Sequence, residues 1–248
     1  MLLLIDSGNT AISYGIHPKS RPEKYGSLKI DEIPKLVRFC LSSGANKHIN
    51  IVISSVVPKN INIIKKAFSK LRPSKILIAG KNLPVIIRSK YKNYKRLGID
   101  RKVNIYGALK LHKPPFLIID AGTGITVDYV SSKGVFEGGL IIPGPGIAFD
   151  ALMAKTALLP KRLTFPKKSI TLTGKTTCDG MSSGILEGYG AMLEGLVSKY
   201  RKKYGKKLKT ILTGGYATRI KPYARLIDIV DPKLGLKALH LLYKNLPR

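Results

Sequence analysis

A chain of 248 residues, 44% of them hydrophobic, can bury one large core or two cores of about 120 residues each, which excludes a disordered polymer. Its formal net charge of +30 would attract polyanions, although a lineage bias towards lysine is the simpler interpretation. The N-terminal apolar run meets an acid at Asp6, too early for a signal peptide, and no apolar run approaches the roughly 18 residues of a membrane span. We therefore expect a cytoplasmic protein with no membrane partner. The four histidines are scattered without metal-ligand spacing, so no zinc site is expected.

In the first half of the chain, predicted β-strands alternate with predicted helices. Short apolar runs predict strands at Leu2–Ile5, Ala11–Ile16, Lys24–Ile30, Ile49–Ser54, Lys75–Ala79 and Val85–Ile87. Helical spacing of apolar residues predicts helices at Asp31–Leu41, Pro58–Leu71 and Lys102–Leu111, with a basic loop over Arg88–Arg101. This alternation favours an α/β fold with helices packed on a sheet.

The second half follows a similar plan. Strands are predicted at Phe116–Val127 (two, joined by a turn), Gly134–Ile142, Thr210–Leu212 and Leu226–Val230. Helices are predicted at Ile147–Lys155, at Gly184–Tyr200 and from Pro232 onwards. The second of these helices contains four glycines, which weaken a helix, so we expect something to approach its backbone closely. Two similar halves, 1–114 and 115–248, are therefore predicted.

A repeated phrase is the most informative feature of the sequence. LLLIDSGNTAIS at Leu2–Ser13 returns as FLIIDAGTGITV at Phe116–Val127. Each copy predicts strand, tight turn and strand, with Gly8 or Gly122 at a positive φ and Asp6 or Asp120 at the strand end. Backbone N–H groups of such turns can bind anions, and the carboxylate can hold a cation. An ordinary hairpin is the alternative for one copy, but two copies suit a nucleoside triphosphate and its magnesium.

Two further motifs could carry chemistry. Thr213-Gly214-Gly215 follows an apolar strand and could let an adenine ring lie against the backbone, although a plain strand-to-helix turn is the alternative. Gly98-Ile99-Asp100-Arg101 lies where the basic loop enters a helix. Asp100 could accept a proton from a substrate hydroxyl while Arg101 binds an anion. The alternative is a capped helix start with a salt bridge.

Taken in order, these motifs resemble the type III pantothenate kinase (CoaX) family. The matching segments are DSGNT, GIDR, DAGT with Thr126 and Asp128, GGLIIPG at 138–144, ALMAKTALLP at 151–160, and TGG. The resemblance covers essentially the whole chain. It implies two ribonuclease-H-like domains of the acetate kinase, sugar kinase and actin-like superfamily. The chain departs from the family pattern at Tyr94, Gly124 and Thr176, where proline, alanine and asparagine are usual.

The resemblance implies ATP-dependent phosphorylation of pantothenate to 4′-phosphopantothenate, the first step of coenzyme A biosynthesis. The ATP phosphates and magnesium would be held by Asp6, Ser7, Gly8, Asn9, Thr10, Ala11, Ile12 and Ser13, and Thr123 would also contact ATP. Asp6 would bind magnesium, and Asp120 would bind a monovalent cation, potassium or ammonium. Pantothenate would be bound by Tyr91, Gly98, Ile99, Asp100 and Arg101, and by Thr177 across a homodimer interface that includes the glycine-rich helix. Asp100 would be the proton acceptor.

Two other interpretations remain open from the residues alone. One is a regulatory or nucleic-acid-associated protein on a retained kinase scaffold, motivated by basic segments such as RKKYGKKLK; no DNA- or RNA-binding motif is present, so a nucleic-acid partner is not expected. The other is a different kinase or phosphatase of the same superfamily, which would share the ATP turns but would have no need of GIDR.

Overall fold

The computed structural model describes residues 1–17, 23–42, 49–160 and 171–246. The chain divides into two compact units, Met1–His112 with Lys233–Arg248, and Lys113–Pro232. The C-terminal segment thus belongs to the first unit, which differs from the division at residue 114 predicted from the sequence. None of the helices in the described parts of the chain has both the length and the apolar character needed to cross a membrane.

The first unit contains a sheet of five strands: β1 (Leu2–Ser7), β2 (Ile12–His17), β3 (Lys24–Leu28), β4 (Asn50–Ser55) and β5 (Lys75–Ile78). Their order in the sheet is β3-β2-β1-β4-β5. Strands β1, β2 and β3 are antiparallel neighbours, whereas β4 and β5 run parallel to β1. The helices are α1 (Ile33–Ser42), α2 (Pro58–Phe68), α3 (Ile99–Leu111) and, from the C-terminus, α7 (Leu234–Lys244).

Both faces of this sheet are covered, which explains the continuous apolar run of β1. Leu3 and Ile5 point into the core shared with α1 and α2. Leu2 and Leu4 point to the other face, where the core includes residues of α3 and α7. Because successive strand residues face opposite ways, every residue from Leu2 to Ile5 is buried.

Three expectations for this unit are corrected by the structure. Val85–Ile87 is not a strand, although Val85 and Ile87 are buried and Ile86 is exposed. The third strand ends at Leu28, because Ile30–Glu32 forms a 3₁₀ turn that the Glu32 carboxylate closes on the Lys29 N–H. Helix α3 begins at Ile99 rather than Lys102, so GIDR supplies its N-cap and first turn.

The second unit also contains five strands: β6 (Phe116–Ala121), β7 (Gly124–Val130), β8 (Phe136–Pro143), β9 (Lys209–Thr213) and β10 (Ile229–Val230). Their order, β10-β9-β6-β7-β8, repeats the topology of the first unit. Its helices are α4 (Pro145–Lys155), α5 (Thr177–Tyr204) and the short α6 (Ala217–Ile220), which the sequence pattern did not predict. The predicted α/β fold with two similar halves is confirmed.

Helix α5 is longer than predicted, and its glycines differ in their surroundings. A methyl group at Gly190 would collide with the backbone of Tyr223, so the expected close approach is present there. Gly184, Gly188 and Gly195 have no atom within 4 Å of such a group. These three glycines are exposed, and because they are four and seven residues apart they lie on one face of the helix.

Candidate active site

The two repeated turns follow β1 and β6, as predicted, but not with the predicted backbone. Ser7 pairs with Ile12 in the β1–β2 register, so the first connection has four residues and is closed by a 3.0 Å hydrogen bond from Gly8 N to Ala11 O. In the second turn Gly122 N donates to Gly124 O at 3.2 Å. Neither Gly8 nor Gly122 has a positive φ, so that prediction is wrong. These longer connections reverse the chain without left-handed residues.

Hydrogen bonds from neighbouring groups to the buried Ser7 hold the base of the first turn. Ser7 is 1% exposed, and its hydroxyl accepts a 3.0 Å hydrogen bond from Asn60 Nδ2 in the first turn of α2. Val56 N also donates to Ser7 O at 3.3 Å. Asn9, Thr10 and Ala11 are exposed at the tip of the turn. The base of the turn is therefore fixed while its tip faces solvent.

Asp6 occupies an unusual electrostatic position at the end of β1. The pKa of its carboxyl is raised to about 6, mainly by burial and to a smaller extent by the negative charge of Asp100. The buried Ser54 hydroxyl, on the neighbouring strand, lowers the pKa of Asp6, although it makes no hydrogen bond of ordinary geometry. A methyl group at Gly235 would lie 3.2 Å from both Asp6 Oδ2 and Asn104 Oδ1. Asp6 thus faces α3 and the start of α7.

The GIDR segment places its acid and its guanidinium in the first turn of α3. Asp100 Oδ1 accepts a 2.8 Å hydrogen bond from Arg101 N. Gly98 is the N-cap, and a side chain there would collide with the same Asp100 oxygen. Arg101 is only 6% exposed, and its guanidinium carbon lies 5.8 Å from the centre of the Tyr91 ring. The structure therefore brings Asp6, Asp100, Arg101 and Tyr91 into one region of the first unit.

In the second unit, three loops meet at the end of β6. Gly214 has a φ of +92°, and a side chain there would collide with Asp120 Oδ1 and the Ala121 backbone. Tyr216 N donates to Ala121 O at 2.9 Å. Gly144 N donates to Thr123 O at 3.0 Å, and no side chain would fit at Gly144 against that turn. The second turn, the TGG segment and the PGPG segment thus form one glycine-lined cluster around Asp120 and Thr123.

A comparison with protein families identifies the chain. The family model for type III pantothenate kinase matches residues 2–199. The chain belongs to the type III pantothenate kinase family. A type III pantothenate kinase from Persephonella marina is 36% identical over 253 aligned residues, which cover 98% of each chain. Family membership makes the chain a kinase, and the resemblance seen in the sequence is confirmed.

Solved structures show the same fold at lower sequence identity. A Campylobacter jejuni protein named for the Baf transcriptional activator family has a TM-score of 0.61 and 21% identity, covering 98% of this chain and 97% of that one. A Sinorhizobium meliloti protein named as a candidate 2-dehydro-3-deoxygalactonokinase has a TM-score of 0.59 and 14% identity, with 98% coverage of both. An archaeal actin homologue has a TM-score of 0.51 and 11% identity, covering 99% of this chain and all of that chain (100%). The fold is that of the sugar kinases and actin-like proteins.

Thr177, the predicted substrate threonine of this kinase, is the first residue of α5 and is exposed. The preceding Thr176 caps the helix, because its hydroxyl accepts from Asp179 N at 3.1 Å and lies 2.8 Å from Asp179 Oδ2. Asparagine, which the resemblance gives as usual at this position, and threonine are both favoured N-cap residues. The departure from the family pattern therefore preserves the local structure that positions Thr177.

Sequence patterns missed several residues that support the site. Ser54, Asn60, Asn104 and Gly235 surround Asp6 and Ser7, yet none belongs to a recognised motif. A signal was present in Asn60 and Asn104, since each is an asparagine on an otherwise apolar helix face and is buried. Gly235 carried no signal in the sequence, because its small size matters only where α7 packs against Asp6.

Gly98→Ala is expected to reduce the kcat/KM of the kinase reaction by about 100-fold without unfolding the protein. Alanine tolerates the backbone angles at Gly98 (φ −50°, ψ 139°), but its methyl group would displace the Asp100 carboxylate. Steady-state kinetics and circular dichroism would measure the two effects. Lys110→Ala, at the exposed far end of the same helix, is the control and should leave both unchanged. Wild-type kinetics in Gly98→Ala would contradict the importance of the Asp100 position.

Proposed function

We propose that this chain performs the reaction of its family, ATP-dependent phosphorylation of pantothenate in coenzyme A biosynthesis, with the residues gathered in its two turns and in GIDR. The observation that carries the residue assignment is the grouping of Asp6, Asp100, Arg101 and Tyr91 in the first unit. A phosphoryl-transfer enzyme needs an acid to orient the attacking hydroxyl, cationic charge near the phosphates and a group that holds the acceptor substrate. Asp100 would fill the first role, Mg²⁺ bound at Asp6 would fill the second, and Arg101 with Tyr91 would fill the third.

The first turn would hold ATP phosphates and magnesium. The donor set suits this metal, because Asp6 supplies a carboxylate beside the Ser54 hydroxyl and the Asn104 amide, and Mg²⁺ prefers oxygen ligands. When bound, Mg²⁺ would neutralise charge on the phosphates. The paired charges of Asp6 and Asp100 disfavour ionisation of Asp6, so a cation would be attracted to this position. Residues Asp6 to Ser13 would contribute the phosphate contacts.

Asp100 would accept the proton of the pantothenate hydroxyl while Arg101 holds the pantothenate carboxylate. The guanidinium is well placed for a fixed role, because it is buried and lies against the Tyr91 ring. The Arg101 N–H holds Asp100 Oδ1, which leaves the other carboxylate oxygen for the substrate. Gly98 and Ile99 would line the same subsite through their backbone. This arrangement fixes both ends of the acceptor relative to one helix turn.

The cluster around Asp120 would supply the remaining ATP contacts. Asp120 would bind the monovalent cation, potassium or ammonium, and Thr123 would contact ATP. Gly214 and Gly215 would accommodate the adenosine, since the backbone of the TGG segment is not covered by side chains of its own. Gly214 cannot carry a side chain without displacing Asp120, which couples the adenosine turn to the cation position.

The functional form would be a cytoplasmic homodimer. Thr177 is exposed at the start of α5, where it could reach substrate bound to a partner subunit. The exposed face formed by Gly184, Gly188 and Gly195 would allow close backbone approach of a second copy. Exposed apolar side chains on β8 and α4 would add to the buried area, namely Leu140, Ile141, Ile147 and Leu152.

A coupled assay of ADP formation tests this proposal. ADP should form only when ATP, pantothenate, Mg²⁺ and K⁺ or NH₄⁺ are all present, and the product should be 4′-phosphopantothenate by mass. Omitting pantothenate controls for ATP hydrolysis, and replacing K⁺ with Na⁺ tests the monovalent cation. ADP formation independent of pantothenate, or no phosphopantothenate from protein that is folded by circular dichroism, would overturn the proposal.

A further inference from the structure

Three side chains with metal-binding atoms meet in the first unit. His17 is the last residue of β2, Glu23 directly precedes β3, and His240 lies in α7. Each offers one ligand atom, and the three atoms lie within 4.8 Å of one another. The sequence predicted no such cluster, because the two histidines lie at opposite ends of the chain. Only the return of α7 to the first unit brings them together.

The cluster is held in place by its own hydrogen bonds. His17 Nδ1 lies 2.7 Å from Glu23 Oε1, and the Tyr25 hydroxyl donates to Glu23 Oε2 at 2.6 Å. The His17 and His240 rings are 4.2 Å apart between centroids and tilted by 54°. The His17 side chain is 10% exposed, whereas that of Glu23 is 51% exposed. The His17 imidazole is therefore nearly buried, His240 is partly buried, and the Glu23 carboxylate reaches solvent.

The hydrogen bonds within the protein do not satisfy the His17 ring. Its Nε2 atom is buried and has no hydrogen-bond partner among the described residues. A buried polar atom without a partner costs about 1–3 kcal/mol, so such atoms call for a specific explanation. Glu23 Oε1 lies 2.7 Å from the other ring nitrogen, Nδ1, so Nδ1 is the His17 atom that can share one ion with Glu23, and the ion would replace the proton between them. The two ring nitrogens point in different directions, so Nε2 does not bind that same ion in this arrangement.

We propose that His17, Glu23 and His240 together bind one borderline transition-metal ion, with Zn²⁺ as its reference. Two imidazoles and one carboxylate form a donor set that zinc sites use, and water can complete a tetrahedron. Magnesium and calcium prefer oxygen ligands and are not favoured here. Ligand atoms of a tetrahedral zinc site are roughly 3.4 Å apart, so binding draws the three side chains closer by about an ångström.

The surrounding charges act in both directions. Burial, the neighbouring His17 and Lys244 all lower the pKa of His240, which keeps this imidazole neutral and able to bind a metal at neutral pH. Lys244 and Lys233, whose Nζ lies 4.1 Å from the Tyr25 ring centre, oppose a cation, and the Glu23 carboxylate offsets them. The ion would tie the β2–β3 hairpin to α7, the helix whose Gly235 lies beside Asp6.

The test is titration of the metal-free, full-length protein with Zn²⁺ by calorimetry, supported by the visible absorption of bound Co²⁺. One ion should bind per chain, with tetrahedral Co²⁺ bands, and millimolar Mg²⁺ should not compete. His17→Gln and His240→Gln should each weaken binding at least about tenfold. His112→Gln, which removes a histidine outside the cluster at the end of α3, is the matched control and should bind normally.

Glu23→Gln provides a second, structurally mild test. Glu23 is half exposed, so its amide substitute should leave the protein folded while it removes the anionic ligand. Weakened Zn²⁺ binding in this variant supports the site even if a histidine variant fails to fold. Absence of saturable one-to-one binding overturns the proposal, as does full Zn²⁺ affinity in the Glu23 and His240 variants. Neither readout depends on kinase turnover.

Discussion

Replacing Asp6 with Asn is expected to abolish turnover and, at the same time, to stabilise the ligand-free protein at pH 7. Turnover should fall at least about 100-fold, because the variant loses the carboxylate proposed to bind magnesium. Stability should rise, because the substitution removes a buried negative charge that faces Asp100 and keeps a side chain of the same shape. A loss of activity together with a gain in stability would show that Asp6 serves function, because replacing a structural acid would lower stability.

The pH dependence of the Asp6 effect follows from its raised pKa. The folded-state pKa is about 6 and the ordinary value is 3.8, so the native protein binds this proton more tightly than the unfolded chain. The contribution of Asp6 to stability is therefore fully present below pH 3.8 and is lost as the pH rises through 6. Above pH 6 the difference amounts to about 1–3 kcal/mol, or a few degrees in Tm.

Thermal unfolding of wild type and Asp6→Asn at pH 7.5 and pH 5 would measure this difference. The variant should melt at a higher temperature at pH 7.5, and its advantage should shrink at pH 5. Asp31→Asn removes an exposed acid and is the control, for which we expect a change within about 0.5 kcal/mol at both pH values. A variant that is less stable than wild type at pH 7.5 would contradict the electrostatic interpretation of Asp6.

The local elements around the proposed site that the sequence predicted correctly depend on neighbouring residues. A strand that carries Asp6 near its end and is followed directly by a turn is specified by neighbours in the chain, and the repeat at Asp120 supports it. The GIDR segment does lie at a helix start, but the predicted helix began three residues too late, at Lys102 instead of Ile99. The backbone conformation of the turns was also wrong, because several turn types share the same composition.

The parts that the sequence did not predict depend on packing between distant segments. Helix α7 returns to the first unit, and this places Gly235 beside Asp6 and His240 beside His17. No local pattern encodes which sheet an amphipathic C-terminal helix will cover. Val85–Ile87 shows the converse, since it has the alternating burial of a strand but is not hydrogen-bonded into a sheet.

Asp100→Asn is expected to lower kcat by about 10²- to 10⁴-fold while ATP binding is largely preserved. Asparagine keeps the shape and can still accept the 2.8 Å hydrogen bond from Arg101 N, so the first turn of α3 should not change. What is lost is the group proposed to accept the proton from the substrate hydroxyl. ATP affinity, measured by calorimetry, separates this loss from a general collapse of the site, and a matching loss of ATP affinity would contradict the proposed role.

The same variant also tests whether Asp100 and Asp6 act as an electrostatic pair. Because the Asp100 charge raises the pKa of Asp6, neutralising it should lower the pKa of Asp6 below about 6. ATP binding, followed in both proteins in the presence of Mg²⁺, should therefore persist to lower pH in Asp100→Asn than in wild type. If ATP binding is lost at the same pH in both proteins and kcat is unchanged, Asp6 and Asp100 do not interact, and there is no physical basis for assigning them to one catalytic centre. If ATP binding persists to lower pH in Asp100→Asn and kcat falls strongly, the metal-binding acid and the proton acceptor belong to a single site.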